Sequence, residues 1–344
     1  MNEPDDMWTL LNLVNEDLFP NVNSFKRMFC DTNFYTGKLT WRTGGQKQLA
    51  DRIKGFYIRR EKKDAGIVLP PQTVIVHDIE WNPEDYPLQA KILNMLKERA
   101  QIAIDEGRVS TKMQLLALLT RQRQATLWPG GIKLREPIWD YEGNPVMDYN
   151  VDPPAQKTEV INVGDNYRES IKMDKACELV DELNASGHRV VIVSQFKTAL
   201  EEFCRRQNTG RDIERCARFD GDTPADMREA IRQNFDVAYD QEQTWENIAV
   251  NYKTGGVGLN LTKASAMVIL DEYWSGAGND QMMGRIDRMG QTQETSVHIL
   301  RLDGSIDHWM ASLIEEKRNI VENFDAANVE NAISVDDFKK FFDR

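Results

Sequence analysis

From Ser170 onward the chain alternates short apolar runs with segments whose apolar residues recur every three or four positions. The runs are Val190-Val-Ile-Val193, Ile248-Ala-Val250, Ala266-Met-Val-Ile-Leu270 and Val297-His-Ile-Leu-Arg-Leu302, with a weaker one at Ile213–Phe219. Between and after them, Ile171–Ala185, Thr198–Arg206, Pro224–Phe235 and Ile306–Phe324 carry helical spacing. The Pro224 helix is expected to be opened by Thr223. A short run without polar interruption suits a strand buried on both faces, and strands alternating with helices imply a parallel sheet covered on both sides. Residues 166–325 are therefore expected to form an α/β lobe.

The first half reads differently. Met7–Val14, Phe19–Phe29 and Gln46–Phe56 show short helical patterns, and Pro83–Glu106 and Ser110–Leu127 long ones, the last with Ser110 as N-cap. Leu115, Leu116, Leu118 and Leu119 make its apolar face, with Arg121, Arg123 and the intervening Gln residues at its polar end. Thr73–Trp81 alternates as a strand, His77 being an ordinary member of it. Pro129–Thr158 is rich in Gly, Pro and Asp and reads as a long irregular loop with a hairpin at Tyr141–Pro145. The expected divisions are 1–65, the end of a first lobe with a helical region and the linker between lobes; 66–165, a helical insertion and irregular loop; 166–325, the α/β lobe; and 326–344, a helical tail.

Composition narrows the class. The chain has 344 residues, is 41% apolar and 28% charged, and carries a net charge of −12. That balance suits a globular protein and speaks against non-specific coating of nucleic acid. Bases cluster locally all the same: Lys38–Lys63 holds nine Lys/Arg against Asp51 and Glu61, and Arg108–Arg135 holds six with no acid. The four cysteines have no Cys-x-x-Cys spacing and the four histidines do not cluster near them, so zinc is not expected. Scattered thiols suggest an intracellular protein. Neither a signal peptide nor a run of membrane-spanning length is found, so a soluble protein without a membrane partner is expected.

Candidate chemistry gathers in two stretches. Asn279–Gln291, read as a helix, places Gln281, Arg285 and Arg288 on one face at steps of four and three residues, with Gly290 as a stop. Two guanidiniums on a rigid element suit the charge of a transferring phosphoryl group. Just upstream, Asn251–Thr262 joins two apolar runs through Gly255, Gly256 and Gly258, which permit close backbone approach. The second of those runs ends in Asp271-Glu-Tyr-Trp274.

This order resembles motifs V and VI of superfamily-two helicase-like ATPases. More narrowly it is similar to the Swi/Snf family of double-stranded-DNA translocases, which ends motif V in Asp-x-x-Trp and writes motif VI as Gln-x-x-x-Arg-x-x-Arg-x-Gly-Gln. Ser194-Gln-Phe196 resembles motif IV. Arg59-Arg-Glu-Lys-Lys-Asp64 with Leu69-Pro-Pro71 resembles a block near the family's lobe junction, and Leu118–Pro129 one ending in His-Pro, with Trp128 for His. The resemblance implies a RecA-like fold that binds ATP and magnesium between two lobes and moves on double-stranded DNA. It makes Arg285 and Arg288 arginine fingers and gives Gln281 an orienting role. It puts Gly256, Gly258 and Asp271 on the nucleotide side, and Gln195, Gly221, Thr223, Lys253, Thr254, Asn260, Arg59 and Arg60 on the DNA backbone.

No Gly-x-x-x-x-Gly-Lys-Ser/Thr occurs; Gly37-Lys38 lacks the upstream glycine and the hydroxyl residue. Asp271-Glu272 lies downstream of the motif V loop and is not a Walker B pair. The chain is thus expected to be the second-lobe half of the ATPase, inactive until a lobe with motifs I to III, from the same or a separate polypeptide, completes it. Such a protein works in the cytoplasm, or in the nucleus of a eukaryote. Two other readings stay open: a non-catalytic DNA-binding or partner-docking module, and the second lobe of an RNA or strand-separating helicase. Asn251-Tyr252 replaces the family's usual Ser-Thr and Asp287 a common His, departures compatible with a viral or mobile-element branch.

Overall fold

The computed structural model describes residues 4–32, 39–56, 58, 66–105, 112–138, 140–142, 144, 146–150, 155–162, 168–240, 242, 244–255 and 258–321. Arg59, Arg60, Gly256, Ser110 and the tail 326–344 lie outside them. Two compact units are formed, one chiefly by residues up to Val68 and the other chiefly by Leu69–Ser312.

In the first unit, α1 (Pro4–Val14) and α2 (Val22–Phe29) are followed by a small antiparallel pair, β1 (Cys30–Thr32) with β2 (Leu39–Trp41), and by α3 (Gly45–Ile53). Helix α2 starts later than its apolar pattern because the Asn21 side chain accepts the Ser24 N–H at 2.9 Å and caps it. Phe19, Phe25 and Phe29 form the centre, with Phe19 edge-on to the other two rings at 5.3 and 5.5 Å.

The second unit opens with β3 (Gln72–Ile79), α4 (Pro87–Asp105) and α5 (Lys112–Leu127). The stretch read as an irregular loop is instead partly ordered into ribbons. Strand β4 (Lys133–Pro137) pairs antiparallel with β7 (Thr158–Asn162), and β5 (Met147–Asp148) with β6 (Ala155–Gln156). Their pairing runs across a Gly- and Pro-rich turn region, where alternation is too short to register as strand. The expected turn is present, with Asp140 Oδ1 accepting the N–H groups of Glu142 and Asn144.

The α/β pattern then runs as α6 (Ile171–Ala185), β8 (Val190–Ser194), α7 (Lys197–Asn208), β9 (Cys216–Phe219), α8 (Ala225–Phe235), β10 (Asn247–Asn251), a single helical turn α9 (Tyr252–Gly255), β11 (Ala266–Ile269), α10 (Gly276–Met283), β12 (Thr295–Leu302) and α11 (Ile306–Val321). Six strands pair in the order β3-β12-β11-β8-β10-β9, every pairing parallel. Strand β3 thus belongs to the lobe's sheet, although the divisions read from the sequence left 66–165 outside it; its partner β12 is too distant in the chain for a local pattern to reveal.

Strands β8, β10 and β11 bury both faces. Val190, Ile192, Ala249 and Val268 pack with Val180 of α6 and Phe203 of α7. Val191, Val193, Ile248, Val250 and Met267 pack with Ile231 and Phe235 of α8 and with Met282 of α10. This is the RecA-like architecture expected. Among the described residues no helix is long and apolar enough to cross a membrane.

Candidate functional site

Because the strands are parallel, their C-terminal ends share one rim, where ligands of open α/β sheets usually bind. Ser194 ends β8, Asn251 ends β10, Asp220 follows β9, and Asp271 follows β11. The Asn251 amide donates to the carbonyls of Ser194 and Gln195 at 3.2 and 2.9 Å, and its Oδ1 accepts the Lys253 N–H at 3.1 Å. The structure thereby sets Gln195 beside the turn carrying Lys253, which is exposed, and Thr254. Gly221 and Thr223 lie at the end of β9, on the far side of β10.

Thr223 does not open α8. Its hydroxyl accepts the Asp220 N–H at 2.9 Å and donates to the Arg218 carbonyl at 3.1 Å, and Pro224 caps the helix without a side-chain bond. The hydroxyl is therefore spent on shaping the turn. The Gly221 carbonyl accepts from Arg228 at 2.8 Å.

Asp271 is buried and its carboxylate is occupied by protein donors. Oδ1 accepts from the Ser194 hydroxyl, and Oδ2 from Gln195 Nε2 at 2.6 Å and Arg123 at 3.5 Å. Burial raises its pKa, opposed by Arg123 and by the Ser194 and Gln195 donors. Gln122, Arg123 and Gln124 are buried, so the end of α5 read as its polar end faces inward.

The second locus is the arginine segment, which is not one helix. Helix α10 stops at Met283, leaving Gln281 exposed upon it and Arg285 and Arg288 on the turns that follow. Two carbonyls that a continuing helix needs are captured elsewhere: Arg285 O accepts the Leu261 N–H at 3.1 Å, and Ile286 O accepts Gln291 Nε2 at 3.1 Å. Gly290 closes the segment at φ +100, where an added Cβ would meet Val237 Cγ2 at 2.8 Å. Arg285 is 8% exposed and Arg288 half-buried. Burial, then the nearby Arg288 charge, lowers the Arg285 pKa.

The glycine loop bridges the two loci. A Cβ on Gly255 would meet Val250 Cγ1 at 2.6 Å and Met282 Cε at 2.8 Å, so only glycine lets α9 seat against α10. The Tyr252 hydroxyl donates to Asn279 Oδ1 at 2.9 Å, which also accepts the Tyr273 N–H at 2.7 Å. Gly258 has φ +64 with open space about it. Asn260 sits away from the rim, its Nδ2 donating to Asp236 at 3.3 Å beyond the C-terminal end of α8. Tyr252, Asn279, Gln291 and Arg123 have structural parts the sequence reading did not assign. Only Arg123, a charge in an apolar helix, left a visible sign.

A family model described as "Helicase conserved C-terminal domain" matches residues 171–290, and one described as "SNF2-related domain" matches residues 1–130. The human protein "SWI/SNF-related matrix-associated actin-dependent regulator of chromatin subfamily A member 1" is 25% identical over 92% of this chain and 27% of its own length. A "Probable global transactivator" of Orgyia pseudotsugata multicapsid polyhedrosis virus is 26% identical over 88% of this chain and 57% of its own. The chain thus spans only part of these curated relatives. The solved "Sulfolobus solfataricus SWI2/SNF2 ATPase core in complex with dsDNA" superposes with a TM-score of 0.57 at 21% identity, covering 99% of this chain and 64% of that one. "Crystal structure of the C-terminal part of Fun30 ATPase domain" has a TM-score of 0.55 at 19% identity, covering 80% of this chain and 98% of that one. These likenesses establish the fold. With two such family models succeeding one another along it, this chain belongs to the Swi/Snf-type helicase-like ATPases.

Proposed function

We propose that the chain is the second-lobe half of an ATP-dependent double-stranded-DNA translocase. The observation that carries the reading is the bridge: the turn Tyr252–Gly255, which follows the strand-end rim, seats against α10, the helix that leads into Arg285 and Arg288. Burial first, and the Arg288 charge second, hold the Arg285 guanidinium below its ordinary pKa, and two cations on one short segment suit an anion. ATP fits that demand, supplying when bound a γ-phosphoryl whose oxygens carry the charge of transfer. Arg285 and Arg288 then stabilise that charge, with Gln281 at the end of α10 beside them. Among the described residues no group of three or more His, Cys, Asp or Glu side chains suits a metal ion, so magnesium is a matter for the completing lobe.

On the rim, Gln195, Gly221, Lys253 and Thr254 face the DNA backbone, contacts that position without reading sequence. Thr223 and Asp271 act behind them, one shaping a turn and the other holding Gln195; Gly258 gives the loop its left-handed bend. Asn260 bonds Asp236 rather than lying on the rim. The 57% coverage of a viral relative is in keeping with a viral branch. Four unbridged cysteines suit a reducing, intracellular setting.

The test is reconstitution with a separately made lobe carrying the phosphate loop. Duplex DNA is expected to stimulate ATP hydrolysis by the mixture, and Arg288→Ala to lower it about 10³-fold or more. Full activity of the Arg288→Ala mixture, or magnesium-dependent turnover by this chain alone, overturns the reading.

A further inference from the structure

Helix α5 reaches the rim through one side chain. Arg123 and Asp271 are each 2% exposed, and the guanidinium donates both to Asp271 Oδ2 at 3.5 Å and to the carbonyl of Glu272. Glu272 is itself held by Arg301, two N–H groups of which donate to its carboxylate at 2.9 and 3.2 Å. From Asp271 the contacts continue through the Ser194 hydroxyl and the Gln195 amide, backbone and side chain, to the turn after β8. Asn251 then ties the carbonyls of that turn to the Lys253 N–H. A buried charge pair contributes little net stability yet fixes the geometry of whatever bonds to it.

We infer that Arg123 is a positioning residue: through Asp271 and Asn251 it sets the two turns that present Gln195 and Lys253 to a nucleic-acid backbone, so that helix α5 governs phosphate contact without touching it. The inference rests on the DNA-binding reading above. A mere packing role predicts loss of stability alone, whereas a positioning role moves affinity and its salt dependence in a chain that is still folded.

The test uses the full 344-residue chain and a fluorescent duplex of random sequence, with affinity followed by anisotropy across a salt series well below each variant's melting point. Arg123→Gln and Asp271→Asn are the direct variants. Ser194→Ala, which keeps the charge pair and removes only the hydroxyl donor, serves where those do not fold. Each is expected to weaken binding about tenfold and to flatten the salt dependence by about one phosphate contact. The Arg123→Gln/Asp271→Asn double variant is expected to be no worse than the weaker single. If the wild type shows no salt-dependent binding, the DNA reading falls and this inference with it. If the wild type binds and the folded variants match it within twofold, Arg123 is a packing residue and the inference alone fails.

Discussion

The Tyr252 hydroxyl and the Asn279 side chain meet at 2.9 Å, joining the first turn after β10 to α10. Asn279 Oδ1 takes a second bond from the Tyr273 N–H at 2.7 Å, and the Tyr252 and Tyr273 rings lie 5.1 Å apart. One amide oxygen thus secures three elements. Asn279→Ala leaves a buried hydroxyl and a backbone N–H without an acceptor, each costing about 1–3 kcal/mol. Tyr252→Phe removes donor and demand together and is expected to cost about 1 kcal/mol. Urea midpoints that placed Tyr252→Phe below Asn279→Ala would contradict this ordering.

Gly255 makes a sharper case. Gly255→Ala drives a methyl into Val250 and Met282, overpacking worth about 1–3 kcal/mol. Met282→Ala alone leaves a cavity, but in combination it should return part of what Gly255→Ala loses. Thermal midpoints of the two single variants and the double, taken as a cycle, measure the expected coupling.

Arg288 should behave in the opposite sense from a structural residue. Its charge contributes to the lowered pKa of buried Arg285, so Arg288→Ala relieves repulsion while removing the cation proposed for the nucleotide. The folded state of this chain is expected to be as stable as the wild type or slightly more so by urea titration, even as the reconstituted ATPase falls. Activity and stability lost in parallel would mark Arg288 as packing.

Stability should also depend on acid through His298. Burial first, then His77 and His188, push its pKa down from 6.5 to about 4. Its ring lies 2.9 Å from His77 and 3.0 Å from the Ser296 hydroxyl. The unfolded chain takes up a proton near pH 6.5 that the folded one refuses until about pH 4. The contribution is therefore complete above pH 6.5 and declines as pH falls toward 4, by on the order of 3 kcal/mol. His298→Leu removes this dependence, so wild-type and variant stabilities should converge, or cross in the variant's favour, between pH 7 and 4 in urea titrations. A constant difference across that range would show that His298 does not carry the effect.

The central sheet was legible because Val190–Val193 and Ala266–Leu270 are buried on both sides, and two-sided burial writes itself as an unbroken apolar run. Helix α6 was legible for a local reason too: Ser170 caps it and Gly187, at φ +85, ends it. The arginine segment misled because its spacing is helical while its carbonyls are claimed by Leu261 and Gln291, partners no local pattern can show. Thr223 looked like a cap for the same reason, since its hydroxyl, beside a helix start, serves the turn behind it instead. At the site the residue types were readable, but Asp271 turned out to hold Gln195 rather than to face a ligand. Arg123 was visible as a charge at the end of its helix, but its role was not, because that role depends on a strand end some 150 positions later in the chain.

The parallel pairing of β3 with β12 has a cost in time. Gln72 lies opposite Thr295, about 220 residues downstream, so this edge must wait for nearly the whole lobe to be synthesised before it finds its neighbour. Until then Val74, Ile75 and Val76 present an unclaimed β-forming stretch, and they stay partly exposed even once docked. On the ribosome, β3 is open to wrong partners, and a chain released before Thr295 keeps that hazard for good.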